Sequence, residues 1–132
     1  MTELELQAQV ADYIRLQYPS VIFHSDFGSG IKLTMGQAIK QKRLNGGRRA
    51  WPDMLLAEPK SDYHALFIEL KREGTRIFKK DGTLVSDEHI REQFDMLADL
   101  RQRGYAAEFA IGFEGTKKLI DDYMKGRYAH VD

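Results

Sequence analysis

The chain has no cysteine and only three prolines, and it carries no long apolar run. Without cysteine there is no disulfide framework, no thiolate metal site and no cysteine nucleophile, so any chemistry rests on carboxylates, Lys, His or hydroxyls. Any metal would be held by oxygen or imidazole. Apolar stretches of a handful of residues fall far short of the roughly 20 that a bilayer-spanning helix needs. The start, Met1-Thr2-Glu3, has neither a basic n-region nor an apolar h-region, so an unexported, cytoplasmic protein with no membrane partner is expected. GxGxxG, P-loop, GxSxG and HExxH patterns are all missing, which argues against a small metabolic enzyme and against a nucleotide cofactor. Net charge is missing as well: 20 basic residues balance 20 acidic ones, unlike a protein that coats nucleic acid nonspecifically.

What is present begins with the uneven placement of those charges. Between Asp26 and Asp53 there is no acid, yet the interval holds Lys32, Lys40, Lys42, Arg43, Arg48 and Arg49. This local +6 inside a neutral chain is a candidate footprint for a polyanion, as opposed to an ordinary solvated face. With 132 residues, 42% of them apolar, the expectation is one α/β domain with a sizeable core and no linker or repeat.

Hydrophobic periodicity predicts a helix from residue 3 to about 18, with Glu3, Gln7, Val10 and Ile14 on neighbouring azimuths and Glu5 nearly opposite. Residues 21–27 predict a strand closed by Gly28-Ser29-Gly30. A helix capped by Thr34 and running to about Leu44 then flows into the loop Asn45-Gly46-Gly47-Arg48-Arg49-Ala50-Trp51-Pro52. Residues 53–57 and 64–70 predict a hairpin, and residues 72–87, with Asp81-Gly82 as a turn, an exposed excursion or small hairpin outside the core. A helix from about Asp87 to Arg103 carries Ile90, Phe94, Leu97, Ala98 and Leu100 at helical spacing, with Gln93 on the same face and Gly104 as its stop. A strand over 106–112 and a short helix from Thr116 to about Lys125 complete the order α, β, α, β, β, α, β, α.

The chemistry-bearing constellation is Pro52-Asp53 at the head of one strand and Ile68-Glu69-Leu70-Lys71 at the end of the next. Residues two apart on a strand face the same way, so Glu69 and Lys71 share one side, where Asp53 can meet them. Two carboxylates suit Mg2+ or Mn2+, and a lysine beside them can stabilise charge developing on a phosphate. The bland alternative is a surface ion pair at a strand end. Glu3, Gln7 and Gln93 are further polar groups expected to point inward beside that sheet. His24 fits a structural strand residue, while His64, His89 and His130 lack ligand spacing, so a His-ligated zinc is not expected. Trp51 is either a packing residue before Pro52 or a ring for a base or ribose to stack on.

In this order the residues resemble the VRR-NUC family of the PD-(D/E)XK nuclease superfamily, over about residues 3 to 112. The resemblance implies a restriction-endonuclease-like core, a mixed central sheet flanked by helices, forming one VRR-NUC-like nuclease domain over residues 1–132. It implies divalent-metal-dependent hydrolysis of DNA with Mg2+ or Mn2+, and branched substrates such as the Holliday junction cut by a homodimer. The cellular setting it implies is a bacterium or a phage-infected host.

Asp53, Glu69 and Glu3 would hold metal together with Leu70, with Glu5 the competing acid on the first helix. Lys71 would be the catalytic lysine and Gln93 the helix glutamine lining the site. Gln7 matches the position one turn after the glutamate. Lys32, Lys40, Lys42, Arg43, Arg48 and Arg49 would grip the phosphate backbone, giving a log–log salt slope near about −5 if all engage. Phe78, Tyr105 and Tyr123 are the apolar residues expected to be exposed for dimer contact. The competing reading is a non-catalytic module of the same fold that binds structured DNA or a partner.

Overall fold

The computed structural model describes residues 1–26 and 32–131. Its elements follow the predicted order: α1 (Glu3–Gln17), β1 (Phe23–Ser25), α2 (Met35–Leu44), β2 (Met54–Leu56), β3 (Leu66–Lys71), α3 (Glu88–Gln102), β4 (Ala106–Ile111) and α4 (Gly112–Met124). The strands form one mixed sheet in the order β1-β2-β3-β4. The first three are antiparallel, and β4 is parallel to β3. A parallel neighbour demands a crossover, and α3 supplies it.

Strand alternation sorts the core into two clusters. Met54, Leu56, Leu66, Ile68, Leu70, Ala106 and Ala110 pack with Leu6, Val10 and Ile14 of α1 and with Ile120 and Tyr123 of α4. Leu55, Phe67, Ala107 and Phe109 pack instead with Met96, Leu97 and Leu100 of α3. All six residues of β3 are buried, because helices cover it on both sides. Tyr13 and Tyr18 both donate to Oδ1 of Asp121 at 2.6 Å, tying α1 to α4.

Several expectations change in the structure. The first strand is shorter than 21–27: Val21 and Ile22 precede it, and β2 offers only the three partners Met54, Leu55 and Leu56. Phe27 and the closing Gly28-Ser29-Gly30 lie outside the described residues. Residues 72–87 do form a small hairpin, with Phe78 bridged to Leu84, but Ile77 is buried there. The last helix starts at Gly112, not Thr116. Positive φ at Gly112 turns the chain from β4 straight into α4, and Thr116 spends its hydroxyl on the Gly112 carbonyl (2.7 Å). Tyr123 is a core residue whose hydroxyl donates to the Glu58 carbonyl, and Tyr105 packs on Phe67 and His64, so only Phe78 of the three is exposed.

Gly104 ends α3 as expected, at φ +92° and with His64 packed where a side chain would stand. A Cβ built there would lie 2.7 Å from the His64 imidazole. Gly104→Ala is therefore expected to cost about 2 kcal/mol, from left-handed backbone strain plus displacement of that ring, and chemical denaturation of the two proteins would measure it.

Candidate active site

The register of the β2–β3 ladder builds the site. Met54 pairs with Ile68, and continuing that pairing by one residue sets Asp53 opposite Glu69 on the α3 side of the sheet. Lys71 lies two residues further on, on the same side. All three are buried, Glu69 to 3% exposure. Oδ2 of Asp53 accepts the Leu70 N–H at 2.8 Å, which fixes the carboxylate at the sheet end. Leu70 otherwise buries its side chain in the opposite cluster, so its part in the site is played by its backbone.

The Asp53 and Glu69 carboxyls are hydrogen-bonded to one another. Burial, first, and then this bond and the charge of Asp53 push the Glu69 carboxyl up to about 10, with Glu3 adding to the rise and the Lys71 ammonium opposing it. The Glu69 carboxyl therefore keeps its proton at neutral pH, the state expected of an acid buried beside another acid in a dry place.

A cavity of about 710 Å³ opens above the pair, lined among others by Glu3, Asp53, Glu69, Lys71 and Gln93. Glu3 is thus the acid of α1 at the site. Glu5 is engaged at the helix start, closing a capping box with Thr2 at 3.0 Å in both directions. Gln93 stands on α3 one turn before the Met96–Leu97 core contact, with its Nε2 3.2 Å from Nε2 of His89. Its Oε1 is buried without a hydrogen-bond partner. Gln7 does not line the cavity: it braces the sheet from the α1 side, donating to the carbonyls of Asp26 at 2.6 Å and Asp53 at 3.4 Å.

The basic stretch divides. Lys42, Arg48 and Arg49 line the cavity, whereas Lys32, Lys40 and Arg43 are exposed and do not. Arg48 is also drawn toward α3 by an ion pair with Asp99 at 3.0 Å. Ala50, in the same loop, holds φ +62°, a left-handed conformation costly for a residue with a Cβ. His24 is exposed on β1 and stands apart from the cavity.

Among the titratable lining residues, sequence reasoning missed Asp26 and His89. The four-residue spacing of His89 and Gln93 on one helix was a usable signal for the second. Asp26 carried none, since its place depends on the backbone bond from its N–H to the Asp53 carbonyl (2.9 Å).

Among the described residues, no three His, Asp or Glu side chains gather closely enough to hold an ion by themselves. The compact unit is the Asp53–Glu69 pair. It is an all-oxygen donor set, and Gln93, whose buried Oε1 has no hydrogen-bond partner, lines the same cavity, so the residues fit a small hard cation with several waters retained. Among the described residues no helix is long and apolar enough to cross a membrane.

No family model matches the sequence, and no curated protein matches it. Among solved structures, one described as a VRR_NUC domain protein superposes with a TM-score of 0.65 at 22% identity, over 95% of this chain and 89% of that chain. With a mixed four-stranded sheet and four helices among the described residues, and this superposition along nearly the whole length, the chain has the fold of a VRR_NUC domain protein.

Proposed function

We propose that this chain is a PD-(D/E)XK-type nuclease domain that hydrolyses phosphodiester bonds in branched or otherwise structured DNA with Mg2+ or Mn2+. The observation that carries the reading is the buried Asp53–Glu69 pair with Lys71 beside it, at the end of a strand whose other residues are core. Two acids buried side by side are costly to a fold that gains nothing from them, and a divalent cation relieves that cost.

Asp53 and Glu69 would hold the cation, with Glu3 reaching it through water from the rim. When bound, the cation supplies water polarisation and charge neutralisation at the phosphate. The Leu70 N–H keeps the Asp53 carboxylate in place. Lys71 presents its ammonium on the same side as Glu69, where it meets a non-bridging phosphate oxygen and stabilises the charge that grows during in-line attack. Gln93 offers its free Oε1 to orient a water or a substrate hydroxyl. Lys42, Arg48 and Arg49 would hold the backbone of the DNA on either side, with Lys32, Lys40 and Arg43 making outer contacts.

A four-way junction requires two such sites, hence a C2 homodimer, to which the exposed Phe78 would contribute. The cytoplasm of a bacterium or of a phage-infected host is the setting in which such substrates arise.

The test is cleavage of labelled four-way junction, flap, single-stranded and blunt duplex DNA with Mg2+, Mn2+ or EDTA. Cutting of branched DNA that EDTA abolishes is the expected result, and symmetric paired nicks would identify a resolvase. Binding of junction DNA with no cutting in either metal would overturn the proposal in favour of a non-catalytic binding module.

A further inference from the structure

Trp51 is the chain's single tryptophan. It lines the cavity with 42% of its surface exposed, although Pro52 beside it and Phe67 behind it are buried. Its ring rests on Phe67 with centroids 6.3 Å apart and planes tilted by 53°, so it is supported from within and open toward the cavity.

Helix α2 supplies a further part of the cavity wall. No residue of α2 is buried, yet Met35 and Ile39, 81% and 65% exposed, line the same cavity as Trp51. These two apolar side chains lie largely uncovered in the lining of a charged cavity. Lys42 and Arg49 border the same space, and the carboxylate pair lies in its wall.

The cavity thus combines an aromatic face, an apolar wall, cations and an acidic pair suited to a metal. Its chemical complement is a planar, weakly polar ring joined to a phosphate. In duplex DNA the faces of the bases are covered by their stacked neighbours, so only an unstacked nucleotide can offer one to Trp51.

We propose that Trp51 stacks on the base of an unpaired DNA nucleotide next to the scissile phosphate, in the cavity that Met35 and Ile39 also line, so that the substrates are DNAs carrying an unpaired or splayed nucleotide. This inference rests on reading the cavity as a DNA site. Its test is a binding experiment in EDTA, where nothing is cut, so a failure of stacking and a failure of catalysis are separate results.

Trp51 emission, as the chain's only indole signal, is followed during titration with a single-stranded oligonucleotide, a duplex with a one-nucleotide gap, a blunt duplex and a deoxynucleoside monophosphate. The single-stranded and gapped DNAs are expected to quench it strongly, and the blunt duplex several-fold less. By anisotropy of labelled DNA, Trp51→Ala is expected to weaken single-strand binding about tenfold or more, in line with the loss of one stacked base, and duplex binding much less. Trp51→Phe, which keeps the contact with Phe67, is expected to recover most of the affinity. Equal quenching by duplex and single strand, or equal weakening of both by Trp51→Ala, would overturn the proposal. So would a monophosphate that quenches as well as the oligonucleotide at the same nucleotide concentration, which would make the site one for free nucleotides.

Discussion

Lys71→Met and Asp53→Asn are each expected to reduce metal-dependent DNA cleavage by about a thousandfold while leaving the protein folded. The lysine is buried at the end of β3 on the same side as Glu69, where its charge already acts on that carboxyl. Removing one preorganised charge or donor from a transition state typically costs about 10²–10³ in rate, and loss of a metal-holding carboxylate at least as much. Met keeps the length and burial of the lysine stem. Asn keeps an oxygen for the Leu70 N–H that Asp53 now accepts at 2.8 Å, so the strand end retains its brace. Single-turnover cleavage of the preferred substrate, with circular dichroism as the check on folding, measures both. A Lys71→Met protein that cuts within tenfold of the wild type would remove the lysine from the mechanism.

Glu69→Gln is expected to do two opposite things: abolish cleavage and stabilise the metal-free protein at alkaline pH. The Glu69 carboxyl is pushed up to about 10 in the folded chain by burial and by Asp53, whereas in the unfolded chain it ionises near the ordinary glutamate value of 4.5. Between those limits the folded state keeps a proton that the unfolded state has lost. The stabilising contribution of this group is therefore complete below about pH 4.5 and declines as pH rises toward 10, at up to about 1.4 kcal/mol per pH unit.

Glutamine holds no proton to lose and removes that slope. Denaturation of the two proteins in EDTA from pH 5 to 9 should show the wild type weakening with pH and the variant nearly level. Mn2+ binding carries the same sign: each ion bound by the wild type near neutral pH should displace about one proton, detectable by calorimetry in buffers of different ionisation enthalpy. Parallel stability profiles for the two proteins would show that Glu69 is ionised in the folded chain.

These expectations lean on a site that was partly legible in the sequence. The inward side of the first helix, the hairpin that carries Asp53 and Glu69, and the glutamine among the apolar residues of α3 are local facts. They follow from periods of 3.6 and 2, which any stretch of a dozen residues displays by itself. The choice between Glu3 and Glu5 was also visible, because their azimuths differ by nearly half a turn. Less legible was the extent of α4, whose first turn depends on Gly112 adopting positive φ immediately after a strand. Tyr123 looked like a spare surface aromatic because its hydroxyl has no sequence neighbour to satisfy it. Its partner is the Glu58 carbonyl, 65 residues away.

The sequence by itself determined the order of the elements, the inward-facing polar residues and the clustering of six cations before Asp53. Each of these is set by residues close together along the chain. Only the tertiary structure decided that Asp53 stands opposite Glu69, that Lys42, Arg48 and Arg49 face the cavity while Lys32, Lys40 and Arg43 do not, and that Gln7 holds backbone carbonyls where a place in the cavity was the alternative. Those outcomes depend on strand register and on where a loop is carried by the elements it joins. A shift of one residue in the β2–β3 register would send Asp53 to the opposite side of the sheet with every local preference unchanged.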